Sequence, residues 1–247
     1  MSQIVYGLHP VVEVLKTAPE RVSELVLGQG ARPARLKEPL ALARGAGIRV
    51  RRRPRPELNR LAGTEAHQGI VALVEDFAYS SLDLLLENPR PDLLLVLDSI
   101  QDPRNLGALA RSALAAGAGG LIIPKDRAAP VTAAAVKASA GALSRLSVAR
   151  VTNLNRTVAL LKEEGYWLLG ASPRTGQSLF ELNDLPERLV LAVGSEGKGL
   201  SRSLAQKCDF LVSLPLVGPV ESLSAPAAAV VILYEILRRR MKKGAGE

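Results

Sequence analysis

From residue 92 onward, short apolar runs alternate with stretches of helical periodicity. The apolar runs predict strands over residues 93–97, 121–123, 147–151, 167–169, 189–193 and 210–214, with helices between them. These runs are apolar at nearly every position rather than at every second one, which is typical of parallel strands covered on both faces. The pattern therefore predicts a parallel α/β sheet, whose ligands would bind beyond the carboxyl ends of its strands.

The first 76 residues predict a smaller α/β unit. Helices are predicted over residues 9–16 and 33–45, and strands over residues 22–27, 48–53 and 69–74. A short apolar run and then Asn88-Pro-Arg-Pro91 follow, and these prolines cannot continue a helix. We therefore expect two domains, residues 1–76 and 92–247, joined by a linker of residues 77–91.

The predicted closing helix is apolar all the way round over residues 227–233. Because it lacks a polar stripe, we expect it to be buried on every side, by the domain or by a second subunit. Ser224 as N-cap and Pro226 in the first turn would begin this helix.

Two tight turns follow the last two predicted strands and frame a pocket. The first turn is Gly194-Ser-Glu-Gly-Lys-Gly199, and the second begins at Leu214-Pro215. The first turn is a poor match to a phosphate-binding loop, because Leu200 stands where the Walker pattern requires lysine.

The net charge of the chain favours a polyanionic partner. The net charge is +8, with a pI near 9.9. One Trp, four Tyr and three Phe are too few for base stacking to dominate RNA binding, so phosphate contacts and RNA shape would matter more. Arginine abundance that reflects codon bias remains the alternative explanation.

Basic residues concentrate between residues 49 and 60, where six arginines accompany one acid, Glu57. Strand alternation would turn Ile48 and Val50 inward and the neighbouring arginines outward. Two interpretations are open: an RNA-backbone patch, or a solvated strand edge that charge protects from aggregation. The candidate RNA-binding residues are Arg49, Arg51, Arg52, Arg53 and Arg55.

Several classes of site and location are disfavoured. The single cysteine, Cys208, excludes internal disulfides, and with only His9 and His67 we expect no metal site. No run approaches the roughly 18 apolar residues of a membrane span, and the start has no basic-then-apolar signal pattern. We therefore expect a cytoplasmic protein that does not bind membranes.

Three ordered motifs resemble those of the SPOUT-class ribose methyltransferases. They are Asp98-Ser-Ile-Gln-Asp-Pro-Arg-Asn-Leu-Gly-Ala108 running on to Arg111, Gly194-Ser-Glu-Gly-Lys-Gly-Leu200, and Leu214-Pro-Leu-Val-Gly-Pro-Val-Glu-Ser-Leu223 followed by Leu233-Tyr-Glu235. The branch that the chain resembles is the TrmH/RlmB-type 23S rRNA guanosine 2'-O-methyltransferases. Tyr6-Gly-Leu-His-Pro10 and His67-Gln-Gly-Ile70 look like that branch's N-terminal domain, so the resemblance spans nearly the whole chain.

The resemblance implies a fold and an activity. It implies a small RNA-binding domain like ribosomal protein L30e/L7Ae, then an α/β SPOUT domain with a C-terminal trefoil knot, working as a homodimer. The implied reaction is S-adenosylmethionine-dependent 2'-O-methylation of a guanosine in 23S rRNA, without a metal. Ribose methylation of tRNA is the enzymatic alternative, although the tRNA branch generally lacks the N-terminal domain.

The first motif lies on a predicted helix. Leucines and alanines at 106, 109, 110, 113 and 114 form an amphipathic stripe, and Asn105 is the expected N-cap. At about 100° per residue, Arg111 points about 130° away from the centre of that stripe. The resemblance implies that Asn105 and Arg111 line the active site, with the arginine as general base. Because a guanidinium stays protonated in proteins, we expect Arg111 instead to orient the nucleotide and lower the pKa of the hydroxyl.

The second and third motifs supply the remaining implied site residues. Gly194, Leu214 and Leu223 would present backbone groups to S-adenosylmethionine, and Ser222 matches the family's active-site serine. Glu196 has two interpretations: it orders the site or contacts RNA, or it is a loop carboxylate favoured by a helix dipole.

At Ser224 the chain departs from the family pattern, which has asparagine there and serine two residues later. The resemblance would assign this position to the catalytic set, and serine removes a carboxamide near the reacting ribose. Either Ser224 with water substitutes at some cost in rate, or the chain is a silent RNA-binding protein of ribosome assembly.

Overall fold

The computed structural model describes residues 2–30, 33–87, 92–172, 177–182 and 184–244. These residues form two compact units, Met1–Ala78 and Tyr79–Glu247. Within the described ranges, no helix is both long enough and apolar enough to cross a membrane, and no cluster of three or more His, Cys, Asp or Glu could hold a metal ion.

The first unit is a four-stranded mixed sheet with helices. Its strands are β1 (Ser2–Tyr6), β2 (Val22–Gly28), β3 (Arg49–Arg53) and β4 (Ile70–Glu75), and its helices are α1 (Leu8–Thr17), α2 (Lys37–Gly45) and α3 (Arg55–Ala62). The strand order is β1-β4-β2-β3, in which only β2 and β3 are parallel. Val26, Leu58 and Val71 form a buried core between this sheet and α3. The three predicted strands and both predicted helices are present, whereas β1 and α3 were missed.

The second unit is a six-stranded sheet in which every pairing is parallel. Its strands are β5 (Leu93–Asp98), β6 (Gly120–Pro124), β7 (Ser147–Val151), β8 (Trp167–Ala171), β9 (Leu189–Gly194) and β10 (Phe210–Val212), and its helices are α4 (Leu82–Leu85), α5 (Pro103–Ala115), α6 (Ala133–Ala138), α7 (Leu154–Glu163), α8 (Arg202–Ala205) and α9 (Ala225–Gly244). The order is β10-β8-β9-β5-β6-β7. Central β5 and β9 are buried at every position, which explains their continuous apolar runs. The predicted parallel α/β sheet is confirmed, and the trefoil knot, which strand order alone does not show, stays a prediction.

The stretch predicted as a linker is structured over residues 79–87. Ser80 forms a parallel bridge with Ala149, and Leu85 and Leu86 join the core of the second unit. The Tyr79 hydroxyl accepts a hydrogen bond from the Val131 amide at 2.9 Å. The predicted turn at residues 88–91 lies outside the described residues.

The closing helix α9 is covered on one face only. Its buried residues include Ala229, Ile232, Leu233 and Ile236. Ala227, Val230, Val231 and Tyr234 are exposed, at the spacing i, i+3, i+4, i+7 of one helical stripe. Burial on every side by the chain's own domain is therefore wrong, because among the described residues α5 and β9 pack against one face of the helix and leave the other exposed.

Two predicted helix starts have different outcomes. The Ser224 hydroxyl accepts from the Ala227 amide at 3.4 Å, which confirms Ser224 as the N-cap of α9. Asn105 as N-cap of α5 is wrong. Asp102 caps α5 by accepting from the Arg104 amide at 2.7 Å, since Pro103, which has no N–H, suits the first helical position.

Candidate functional site

A cleft opens beyond the carboxyl ends of β8, β9 and β10, and the start of α9 forms part of its wall. Much of the lining is apolar, and the remainder is largely backbone of the glycine-rich turn after β9. Five residues that were predicted for the site line this cleft: Gly194, Glu196, Leu214, Ser222 and Leu223. The structure thus brings the second and third motifs together around one opening.

Gly194 has a packing requirement at the end of β9. A Cβ atom there would lie 2.0 Å from the carbonyl carbon of Gly199 and 2.2 Å from the Leu200 nitrogen. The turn folds back on the strand, with the Gly199 amide donating to the Ser195 carbonyl at 2.9 Å. Glycine at this position therefore lets the backbone of the turn form a close wall of the cleft.

Asp98, the first residue of the first motif, holds the far end of the same turn and was not among the predicted site residues. Its Oδ2 accepts from the Ser201 amide at 2.7 Å, and its Oδ1 accepts from the Ser99 hydroxyl at 3.0 Å. Asp98 is 7% exposed and lies opposite Gly194 in the β5–β9 register. The sequence does contain a signal for this role, since Asp98 is a carboxylate at the end of a fully apolar strand. A buried charge at such a position needs hydrogen-bond donors.

The first motif also contacts a residue of the cleft lining directly, through Asn105. The Asn105 side-chain amide donates to Glu196 Oε1 at 2.9 Å, across 91 residues of sequence. Asn105 lies in the first turn of α5, so this carboxylate also lies near the start of a helix. Both interpretations of Glu196, ordering of the site and a favourable position in the helix dipole, fit this contact.

Arg111 does not line the cleft of its own chain. It is exposed on α5, whereas Leu106, Leu109 and Ala110 are buried, as the helical pattern predicted. Among the described residues its guanidinium forms no ion pair. Its contact with a substrate stays a prediction.

The candidate RNA-binding arginines do not form one free surface. Arg51 pairs with Glu24 at 2.7 Å and Arg53 with Glu57 at 3.5 Å, while Arg49 and Arg52 are exposed. Strand β3 is an edge strand, as the charge-protected interpretation requires. Arg55 does not lie on β3, since it begins α3.

The basic end of α9 attaches that helix to its own unit. Glu235 accepts from Arg238 and Arg239, and these hydrogen bonds, with that from Arg238 the largest contribution, lower the pKa of Glu235 to about 2. Arg239 also donates to the carbonyls of Leu179 and Leu182. The helix C-terminal half is therefore fixed by carbonyl and carboxylate acceptors.

Comparison with known families covers both units. Residues 92–234 match the SpoU rRNA Methylase family, and residues 4–80 match the RNA 2'-O ribose methyltransferase substrate binding domain. The first match lies in the unit that holds the cleft, and the second covers the unit with the mixed sheet and the first two residues of the other unit.

Individual relatives align over almost the whole chain. A Coxiella burnetii protein named 23S rRNA (guanosine-2'-O-)-methyltransferase RlmB is 42% identical over 97% of this chain and 98% of its own. A Mycolicibacterium gilvum protein named as an uncharacterized tRNA/rRNA methyltransferase is 43% identical over 97% of this chain and 77% of its own.

A solved structure supports the same assignment. The SpoU methyltransferase AviRb of Streptomyces viridochromogenes, crystallised with the cofactor AdoMet, superposes with a TM-score of 0.68 at 28% identity, over 98% of this chain and 91% of that chain. The order of the motifs, the parallel sheet with its cleft and these matches agree. The chain belongs to the SpoU rRNA methylase family.

Proposed function

We propose that this protein methylates the 2'-hydroxyl of a guanosine in 23S rRNA, with S-adenosylmethionine as methyl donor. The observation that carries the proposal is the convergence of Gly194, Glu196, Ser222 and Leu223 on one cleft, to which Asn105 is joined. The substrate is proposed from the relative named RlmB, which aligns with both units of the chain.

The cleft fits the proposed cofactor in chemistry. Apolar side chains such as Leu214 and Leu223 suit an adenine ring, and the backbone of the turn after Gly194 offers donors and acceptors to polar groups. When bound, S-adenosylmethionine supplies a methyl group activated on a sulfonium. The chain's own part is to hold the cofactor and sugar in line and to exclude water.

On the substrate side, Arg111 is proposed to hold the phosphate and the 2'-oxygen. A guanidinium binds such groups in a bidentate manner and favours the developing alkoxide, while the proton leaves to phosphate or water. Asn105 and Glu196 fix the cleft wall to α5, and Ser222 offers a hydroxyl to the ribose. None of these roles requires arginine to lose its own proton.

A homodimer is proposed from the exposed stripe on α9. Val230 is 37% exposed, Val231 38% and Tyr234 49%, and contiguous apolar surface of this kind is typical of interaction sites. The helix that carries Arg111, α5, also packs against α9.

Ser224 favours a second candidate function, a weak or silent RNA-binding protein. Its hydroxyl is used as the N-cap of α9, and the family's carboxamide is missing. Ribose methylation of tRNA is a further alternative, since some relatives are named tRNA/rRNA methyltransferases.

Mass mapping of ribose methylation tests these alternatives. We expect rRNA from cells without this protein to lack one 2'-O-methylguanosine in 23S rRNA, and the purified protein to restore it with S-adenosylmethionine. A change confined to tRNA would contradict the rRNA substrate. Unchanged methylation, together with no uptake of S-adenosylmethionine in calorimetric titration, would instead support the silent RNA-binding protein.

A further inference from the structure

A second cleft lies within the first unit and shares no residue with the first one. It borders the end of β2 and the segment before β4, and it has a volume of about 420 Å³. Pockets for small ligands have roughly 300 to 1,000 Å³. Buried Leu36 and half-buried Leu8 line it together with five exposed polar side chains: Gln29, Arg35, Arg55, Glu65 and Gln68.

The wall before β4 is held rigidly by His67. Its ring is 1% exposed, its Nδ1 accepts from the Gly69 amide at 3.0 Å, and its Nε2 lies 2.7 Å from Asn59 Oδ1. Since Nδ1 accepts, the proton is on Nε2 and is donated to Asn59. Burial, and then the charge of Arg55, hold the pKa of His67 below its ordinary value, so the ring stays neutral.

Gln68 is fixed at the mouth in a conformation that non-glycine residues rarely adopt. Its φ is 55°, and its Oε1 accepts from the Leu8 amide at 2.9 Å. Because the oxygen is used, the side-chain NH2 is left as a donor at the cleft. The Gly28 amide donates to the Gly69 carbonyl at 2.9 Å and closes the floor. The cleft is therefore preformed, which lowers the cost of ordering a ligand.

The charges at the mouth favour an anionic ligand. Within the described part of the chain, neither Arg35 nor Arg55 forms an ion pair, in contrast to Arg51 and Arg53 on β3. Glu65 is the acid in the lining, and its Oε1 accepts from Asn59 at 3.3 Å. The two guanidinium groups outnumber the one carboxylate in this lining, and beside apolar Leu8 and Leu36 they suit a ligand with a phosphate and a planar ring.

We propose that this cleft binds one unstacked nucleotide of a single-stranded segment of the RNA, in an inference that rests on the proposed function. Arg35 and Arg55 contact its phosphate, and its base enters over Leu8 and Leu36, where Gln68 and Glu65 offer a donor and an acceptor. Proteins recognise RNA sequence mainly through such splayed bases. The cleft is preformed and therefore a better candidate for RNA binding than β3, where two of the four candidate arginines are already paired with acids.

The test compares two double variants of the full chain, with unmodified 23S rRNA transcribed in vitro as the probe. Arg35→Ala/Arg55→Ala removes the cleft charges, and Arg44→Ala/Arg60→Ala removes two exposed charges of the same unit outside the cleft. We expect the cleft variant to weaken RNA binding about tenfold. We also expect the slope of log K against log salt to fall by about 0.7, the value for one single-strand phosphate contact. The control is expected to stay within about twofold, with a smaller change of slope.

Activity separates this inference from the proposed function. The cleft variant should raise KM for RNA with kcat and affinity for S-adenosylmethionine unchanged, since it removes binding common to the ground and transition states. Equal RNA affinities for the two double variants would overturn the nucleotide site even if both methylate rRNA. A wild-type chain that binds this RNA through the cleft without methylating ribose would instead count against the proposed function alone.

Discussion

The side-chain amide of Asn105 donates to the carboxylate of Glu196 at 2.9 Å and joins α5 to the turn after β9. Two of the three motifs, 91 residues apart, thus share one polar contact at the mouth of the cleft. Asp98 makes a second link between the same regions through the Ser201 amide. The walls of the cleft are therefore held by side chains of β5 and α5 rather than by the turn alone.

Asn105 and Glu196 should act as a unit. Asn105→Ala and Glu196→Ala are each expected to lower kcat/KM for rRNA methylation about tenfold to a hundredfold, as for loss of a hydrogen bond to a charged group. The double variant should lose little more than either single one, because the shared contact is already gone. Additive losses in this double-mutant cycle would show that the two side chains act independently.

Gly194→Ala should abolish cofactor uptake without unfolding the first unit. The new Cβ would overlap the Gly199 backbone, at 2.0 Å from its carbonyl carbon, so the turn must move. We expect a loss of about 1–3 kcal/mol in unfolding free energy and no heat of S-adenosylmethionine binding in calorimetry. Gly218→Ala is the matched control, because a Cβ there meets no atom within 4 Å. Wild-type affinity of Gly194→Ala for S-adenosylmethionine would contradict the proposal that this turn forms a wall of the cofactor site.

Arg111→Lys tests the bidentate clamp. Lysine keeps the charge but has no planar fork, so we expect kcat to fall about a hundredfold while S-adenosylmethionine affinity is unchanged. Single-turnover methylation of rRNA measures the loss directly. Near-native turnover of this variant would refute bidentate binding by Arg111. It would show that only the positive charge at this position is needed.

The exposed stripe of α9 should mediate dimerisation. Val231→Lys/Tyr234→Lys places charge on that face and is expected to convert the protein to monomers in sedimentation experiments, with loss of methylation. Leu160→Lys on α7 is the control, since Leu160 is also 37% exposed but lies elsewhere on the second unit. Equal sedimentation coefficients for both variants and the wild type would show that the stripe does not mediate dimerisation in solution.

Acid should weaken the attachment of α9. The pKa of Glu235 is lowered from 4.5 to about 2 by its hydrogen bonds with Arg238 and Arg239, so its contribution to stability is complete above about 4.5 and is lost as the pH falls towards 2. Glu235→Gln should therefore reduce unfolding free energy at pH 7 and flatten its decline between pH 5 and 2. Denaturant unfolding at several pH values checks this. Parallel pH profiles for the two proteins would assign the acid sensitivity to other carboxylates.

Much of the fold was predictable, because local information was sufficient. The six parallel strands follow from continuous apolar runs, and Ser224 was recognisable as a cap from the proline that follows it. The start of α5 was misplaced by three residues, since Asp102 and Asn105 are both acceptable caps and only the position of Pro103 decides between them. Strand β1 and helix α3 were missed because each is short and lacks a clear period.

By itself, the sequence determined the order of strands and helices, the apolar centre of the sheet, and the three motifs that identify the family, since each depends on residues close together along the chain. Only the tertiary structure decided which distant groups meet. It pairs Asn105 with Glu196 and Asp98 with Ser201, neutralises Arg51 with Glu24, and leaves one apolar face of α9 exposed. Such outcomes depend on strand order and helix packing, which no local pattern of residues specifies.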